Sequence, residues 1–201
     1  MHIRTALVAL PGLVLAAVGL THPQYLDAST AHHWRDMHIA LAFVFPLLAA
    51  AVWVLLDSSP PVIRWAGRVA AFAYAVLYGA LDTIAGVGGG AMAIAQNGRT
   101  PVIDPLFDVG NALGTPGAWC FLVASALLIA GIAPRAGWKA APGGVVLLFG
   151  AYLFLDSHIY WPKGVVAMTC FAVGLAALSF VDPASRGRFH VEPTAGSEVR
   201  G

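Results

Sequence analysis

Charged residues are scarce in this chain. Only 10% of its 201 residues are Asp, Glu, Lys or Arg, whereas about 25% is usual in a soluble domain. Hydrophobic residues make up 59%, and the mean hydropathy is +0.77. So few charges would not solvate a globule of this size, and the composition therefore predicts an integral membrane protein whose first partner is the lipid bilayer. A net charge of +1 without a basic stripe argues against nucleic-acid binding.

Cysteine is also rare. The only two, Cys120 and Cys170, lie in different apolar runs, so neither a CxxC redox pair nor a cysteine-rich metal site is present. Both are expected to pack as small hydrophobic residues. Arginine supplies nine of the eleven basic residues, and Ala, Gly and Pro are abundant, which is typical of a GC-rich bacterial genome. We therefore expect a multi-pass protein of the bacterial cell (inner) membrane.

Six apolar runs approach the length of about 20 residues that a helix needs to cross a bilayer. They are 3–20, 37–56, 66–87, 117–133, 144–159 and 164–181. Breakers such as Pro60-Pro61, Pro116, Pro134 and Pro142-Gly143 separate them. The sequence thus predicts an all-α, polytopic transmembrane bundle of six helices over residues 1–181. Residues 182–201 are polar and are expected to form a disordered cytoplasmic tail.

Lysine and arginine predict the orientation, because they accumulate on the cytoplasmic side of a membrane protein. Eight of the eleven fall in the N-terminus, the second and fourth loops and the tail, and three fall in the other loops. Both termini are therefore predicted to be cytoplasmic. The first run also has the charged start, short apolar centre and small-residue end of a signal peptide, so cleavage to five helices stays open, with a retained anchor favoured.

This orientation places five of the seven histidines on the outer side. Four belong to the stretch THPQYLDASTAHHWRDMH (residues 21–38), and the fifth is His158. Ser29 or Thr30 is predicted to cap a helix that begins there. On such a helix His32 and His33 face Asp36, whereas His38 turns about 120° away, toward the bundle. We expect His38 to be the histidine of this stretch that contributes most to a site inside the bundle. His22, His32 and His33 are expected at an entrance or on the surface.

Asp82 interrupts the third apolar run at a depth of roughly 7 to 8 Å. Ionisable groups at membrane depth usually face a partner or a pathway. Tyr74 and Tyr78 share its helix face, so a structural tyrosine–carboxylate hydrogen bond is an equal alternative. Glycines 86, 88, 89 and 90 follow, and they predict either an opened helix or close packing through Gly86-x-x-x-Gly90.

Two further segments add polar groups on the outer side. Asp156 and His158 lie at the end of the fifth run, on nearly opposite faces. Asp108 and Asn111 belong to a third loop whose apolar content predicts a lid or a shallow re-entrant segment.

These residues predict an outward-facing site that binds or transports a metal ion or a small polar solute. The primary candidate ligands are His38, Asp82, Asp156 and His158, and the secondary ones are His32, His33, Asp36, Asp108 and Asn111. Imidazole and carboxylate ligands suit a divalent transition metal such as zinc, iron, nickel or copper(II). Axial ligation of a b-type haem by His38 and His158 is a less favoured alternative.

Two other functions stay open. A membrane enzyme could use Asp82, Asp156 and His38 for acid–base catalysis, although neither GxSxG nor HExxH occurs. A structural or assembly subunit, as a homo-oligomer or with another membrane protein, would use the same polar groups only to fix helix packing.

Overall fold

The computed structural model describes residues 2–185, and these residues are helical without strands. The prediction of an all-α bundle is confirmed. Residues 186–201, which hold most of the predicted tail, lie outside the described part. The helices are α1 (His2–Gly19), α2 (Ala31–Leu55), α3 (Pro61–Leu81), α4 (Gly89–Ala95), α5 (Asp104–Ala136), α6 (Ala140–Phe154) and α7 (Lys163–Val181).

The helices form a closed ring in which α1 contacts α7, then α6, α5, α3 and α2 follow in turn, and α2 returns to α1. Large aromatic side chains fill the centre, since Phe45, Phe121, Phe154, Phe171 and Tyr74 are at most 2% exposed. Close helix approach depends on small residues. At Gly12 of α1, for example, an added Cβ would lie 2.7 Å from the backbone nitrogen of Ala172 in α7.

Four helical stretches are long and apolar enough to cross a membrane: Ala31–Ser58, Pro61–Ala95, Pro101–Phe154 and Lys163–Val181. The third contains both α5 and α6, and the apolar part of α1, Ile3–Gly19, is shorter. Many large hydrophobic side chains on the outside of the ring are exposed, including Phe43, Phe72 and Val145. Long apolar helices with an apolar exterior are typical of a membrane protein.

The third loop is shorter than the sequence predicts. Residues 101–103 form a 3₁₀ turn, and α5 then runs without interruption from Asp104 through Pro116 and Pro134. The predicted lid or re-entrant segment is therefore the first three turns of a long helix. Pro116 and Pro134 were expected to separate helices, but both lie inside α5. Neighbouring helices and local adjustments can satisfy the backbone groups that an intramembrane proline frees.

The third apolar run continues past its expected end through an unusual segment. A π-helix, Asp82–Gly88, joins α3 to α4, so that residues Pro61–Ala95 form one continuous helical segment. The glycines therefore do not open the helix. Gly86 and Gly90 face α2, where a Cβ would overlap the His38 ring and the Arg35 backbone. Of the two alternatives, the structure has close packing.

The end of the bundle opposite His22 and His38 carries the arginine-rich connections. Arg135 holds Asp182 through two hydrogen bonds, of 2.6 Å from Nε and 3.0 Å from Nη2. Asp182 is fully buried, although it is the first residue of the segment that the sequence assigns to the disordered tail. Ser185 is also buried and accepts a hydrogen bond from Arg4. The chain thus stays packed against the bundle as far as Ser185.

Candidate metal centre

Three histidines from separate parts of the chain meet at one end of the ring. His22 comes from the α1–α2 loop, His38 from the second turn of α2, and His158 from the α6–α7 loop. One ring nitrogen from each lies within 4.8 Å of the others. The rings of His38 and His158 are stacked at 5.6 Å, and the His22 ring stands edge-on to both.

Hydrogen bonds orient two of these rings so that Nε2 is left for another partner. Nδ1 of His22 lies 2.8 Å from the Pro23 carbonyl oxygen, and Nδ1 of His38 lies 2.7 Å from that of Trp34. Because a carbonyl oxygen only accepts hydrogen bonds, each Nδ1 carries the proton and each Nε2 carries a lone pair. This arrangement is common for histidines that bind a metal through Nε2.

His158 is oriented by a side chain instead. Its Nδ1 lies 2.7 Å from the Tyr78 hydroxyl oxygen. The Nε2 atoms of His158 and His22 are buried and have no hydrogen-bond partner among the described residues. Burial lowers the pKa of His22 to about 4 and the pKa of His158 well below its usual range, with nearby His38 adding to both shifts. These two rings are therefore neutral at pH 7, which is the form that binds a metal.

Asp82 adds a carboxylate beside the three rings. Its Oδ1 atom lies 3.9 Å from Nε2 of His38 and 3.9 Å from Nε2 of His158. The side chain is fully buried, and within the described residues neither oxygen has a hydrogen-bond partner. The alternative of a tyrosine–carboxylate hydrogen bond is not formed, because the Tyr78 hydroxyl pairs with His158 and the Tyr74 hydroxyl has no hydrogen-bond partner among the described residues. A buried carboxylate left in this state is costly unless it is neutralised or binds a cation.

Aromatic side chains surround the cluster. Trp34 stacks on His38 at 5.1 Å, and Tyr160 packs edge-on against His22 at 4.4 Å. A small second core, built from Leu26, Ala31, Trp34, Ala93 and Ile103, joins the cluster through Trp34, which contacts His22 and His38. His22, His38 and Asp82 are at most 5% exposed, so little water reaches these side chains and electrostatic interactions among them are strong.

One cleft reaches the edge of the cluster. Its volume is about 440 Å³, and its lining includes His158, Tyr78 and Tyr160. The walls also carry polar side chains of α5, of the α6–α7 connection and of the start of α7: Asn111, Thr115, Asp156, Ser157 and Lys163. The cleft thus gives a small polar species a route to the Tyr78–His158 pair.

The structure brings together only some of the residues predicted as ligands. His38, Asp82 and His158 converge, whereas Asp156 is exposed and pairs with Lys163, outside the cluster. Asn111 lies on the cleft wall. The remaining secondary candidates are exposed on the surface and belong to neither the cluster nor the cleft: His32, His33, Asp36 and Asp108.

His22 is the member that sequence reasoning placed wrongly, at the entrance. It is only 5% exposed and touches both other histidines. Its loop is held by a turn in which Asp27 accepts hydrogen bonds from Ser29 and Thr30. Thr30 precedes the first residue of α2, as predicted, but its hydroxyl donates back to the Tyr25 carbonyl rather than capping the helix. The dipeptide His22-Pro23 was a weak signal that this loop is fixed.

Three imidazoles and one carboxylate can bind a divalent cation. Ideal tetrahedral zinc places its nitrogen ligands about 3.3 Å apart, given zinc–nitrogen bonds of about 2.0 to 2.1 Å. Small inward movements of the rings from their 4.8 Å limit would reach that geometry. No protein-family model, curated protein or solved structure matches this chain, so the functional argument depends on the cluster itself.

Proposed function

We propose that this chain is a six-span membrane protein, with a retained first helix and both termini in the cytoplasm, that binds one divalent transition-metal ion near its outer surface. The ligands are His22, His38 and His158, with Asp82 as the fourth ligand or the neutralising charge. The observation that supports this proposal most is the buried carboxylate of Asp82, which has no hydrogen-bond partner among residues 2–185 and lies beside imidazoles whose Nδ1 atoms are already engaged.

The donor set favours a metal ion of borderline softness, between the hard ions that prefer oxygen and the soft ions that prefer sulfur. Imidazole nitrogen with one carboxylate oxygen suits zinc, iron, nickel or copper(II), and no cysteine of the described residues joins the three histidines, so no thiolate is present to select copper(I). One anionic ligand reduces the charge of a divalent ion to +1 within an apolar surrounding. The cleft beside His158 supplies the route for exchange of the ion or of a small polar solute.

The geometry argues against haem. Two axial histidines of a haem point their nitrogens at the iron from opposite faces of the porphyrin. Here the His38 and His158 rings are parallel to within 7° and stacked at 5.6 Å, and both Nε2 atoms point toward Asp82. No space for a porphyrin lies between stacked rings at this distance.

An acid–base enzyme is the second candidate. It is supported by the carboxylate of Asp82, whose Oδ1 lies 3.9 Å from an imidazole nitrogen of His38 and of His158. In the absence of a metal ion, these groups could exchange a proton with a substrate or with each other. Asp156 does not support this alternative, because it is exposed and paired with Lys163. An activity that needs Asp82 but no metal would favour it.

Metal analysis of the detergent-purified protein tests the proposal. We expect about one transition-metal ion per chain, and uptake of Zn²⁺ or Co²⁺ after the protein has been stripped with a chelator. Replacing His22, His38 or His158 by Ala should weaken binding at least tenfold, because even groups that only orient a metal ligand contribute 10- to 100-fold. Asp82→Asn, which keeps the side-chain volume, should weaken it similarly.

His32→Ala is the matched control, because His32 lies on the same helix as His38 but is exposed and outside the cluster. Its affinity should equal that of the wild type. The proposal is wrong if the stripped wild-type protein takes up neither Zn²⁺ nor Co²⁺, or if His38→Ala binds as tightly as His32→Ala. A Soret band would instead favour haem.

A further inference from the structure

A second cavity, remote from the histidine cluster, lies between α1 and α2 at the arginine-rich end of the ring. Its volume is about 500 Å³, and its walls are almost entirely apolar. Leu7, Leu10 and Pro11 form one wall, and Leu47, Ala50 and Val54 form the other. Leu7, Leu10, Leu47 and Val54 are each about half exposed on the outside of the bundle, so the groove faces the lipid.

The groove is confined to one end of the bundle. It extends along α1 from Ile3 to Pro11 and along α2 from Leu47 to Val54. At 1.5 Å per residue these stretches rise about 12 Å and about 10 Å. One leaflet contributes half of the hydrocarbon thickness of about 30 Å, so the groove has nearly the depth of one leaflet. An acyl chain of that leaflet would fit along it.

A positive charge stands at the mouth of the groove, at the arginine-rich end of the bundle. Arg4 lines it, and its guanidinium donates to the Val54 carbonyl at 2.9 Å and to the Ser185 hydroxyl at 3.0 Å. These bonds hold the charge where a lipid phosphate would stand above an acyl chain in the groove. Two more arginines, Arg64 and Arg68, lie on the first turns of α3 at the same end of the bundle.

We propose that this groove is a binding site for one anionic phospholipid, with an acyl chain between α1 and α2 and the phosphate beside Arg4. The apolar walls provide the affinity for the chain. The guanidinium provides the preference for a negative headgroup, since arginine binds phosphate through charge-assisted hydrogen bonds. This proposal does not depend on the metal centre, which lies at the other end of the bundle.

Native mass spectrometry of the full chain, titrated with phosphatidylglycerol or phosphatidylcholine of the same acyl composition, tests the proposal. We expect the wild type to retain one phosphatidylglycerol with at least fivefold preference over phosphatidylcholine. Ala50→Trp, which fills the groove from an exposed position, should remove retention of both lipids. Arg4→Gln should remove the preference and leave phosphatidylcholine binding unchanged.

Ala40→Trp is the control, because Ala40 is also exposed on α2 but does not line the groove. It should bind lipid as the wild type does. Arg4 also joins α1 to α2 through the Val54 carbonyl, so Arg4→Gln could lose stability for that reason alone. In that case Ala50→Trp still tests whether the groove binds lipid. Equal retention of the two lipids by the wild type would overturn the proposal, as would wild-type retention by Ala50→Trp. A dimer that Ala50→Trp abolishes would assign the groove to a second copy and overturn it too.

Discussion

At the scale of single residues, the chemistry of this protein is concentrated in groups that an apolar environment should exclude. Asp82 is fully buried, and the described residues provide it with no hydrogen bond. The imidazoles beside it have their Nδ1 atoms engaged, and Nε2 of His38 and Nε2 of His158 each lie 3.9 Å from Oδ1 of Asp82. Each of these groups costs free energy when buried alone. A bound cation would offset that cost for all four together.

The burial of His22 predicts a pH dependence of stability in the metal-free protein. The pKa of His22 is about 4 in the folded state and 6.5 when exposed. Between these values the unfolded state binds a proton that the folded state does not, so stability falls as the pH falls. From pH 7.5 to 5.5 we expect a loss of about 1 kcal/mol from this residue.

Thermal unfolding of the chelator-treated protein in detergent at the two pH values measures this loss. His22→Gln removes the titrating group, so its melting temperature should fall less on acidification than that of the wild type. The lowered pKa of His158 gives both proteins a remaining dependence of the same sign. Equal losses in the wild type and in His22→Gln would contradict the prediction.

At the scale of helices, the site depends on a local departure from the α-helix. The π-helix Asp82–Gly88 begins at the buried carboxylate and carries Gly86, which faces the His38 ring. Such π segments are rare and occur frequently at functional sites. The glycine run in the sequence was the visible signal, but glycine alone does not distinguish a π segment from a close helix contact.

Gly86→Ala should therefore damage the site through packing. The added methyl group would overlap the His38 ring, and overpacking of this kind costs about 1 to 3 kcal/mol. We expect a lower melting temperature and weaker metal binding. Gly88→Ala is the matched control, because its new methyl group would be 3.7 Å from the nearest atom. If Gly88→Ala loses as much stability as Gly86→Ala, the π-helix rejects any Cβ in this segment, and contact with His38 is not the cause.

At the scale of the whole molecule, the ring separates two chemically different ends. The histidine cluster and its cleft occupy one end, and the contacts of Arg4, Arg68 and Arg135 occupy the other. This separation agrees with the distribution of Lys and Arg among the loops, from which the cytoplasmic side is predicted. A metal site at the outer end would exchange its ion with the periplasm or the exterior.

Cysteine labelling tests that orientation. Tyr25 and Trp138 are both 80% exposed, in loops at opposite ends of the bundle. In a background lacking Cys120 and Cys170, Tyr25→Cys should react with a membrane-impermeant maleimide in cells or spheroplasts whose inner membrane is intact. Trp138→Cys should react only after the membrane is opened. The reverse pattern would place the histidine cluster on the cytoplasmic side.

The sequence by itself determined the class of this protein and several members of its candidate site. Apolar runs separated by turn residues predicted the helices, because a bilayer demands long apolar segments whose backbone groups are satisfied internally. Helical phasing directed His38 into the bundle, and Asp82 stood out because a carboxylate is expensive in an apolar run. These inferences needed only local periodicity and the energetic cost of a charge.

Only the tertiary structure decided which polar groups meet. His22 and His158 lie in loops, where no period predicts the direction of a side chain, and they are 136 positions apart in the sequence. Their positions follow from the packing of α1 against α7 and from hydrogen bonds to Pro23 and Tyr78. Likewise, the structure places Asp156 outside the cluster that contains His158, and its exposed carboxylate pairs with Lys163. Contacts between distant segments depend on the summed packing of the ring, which a local pattern does not contain.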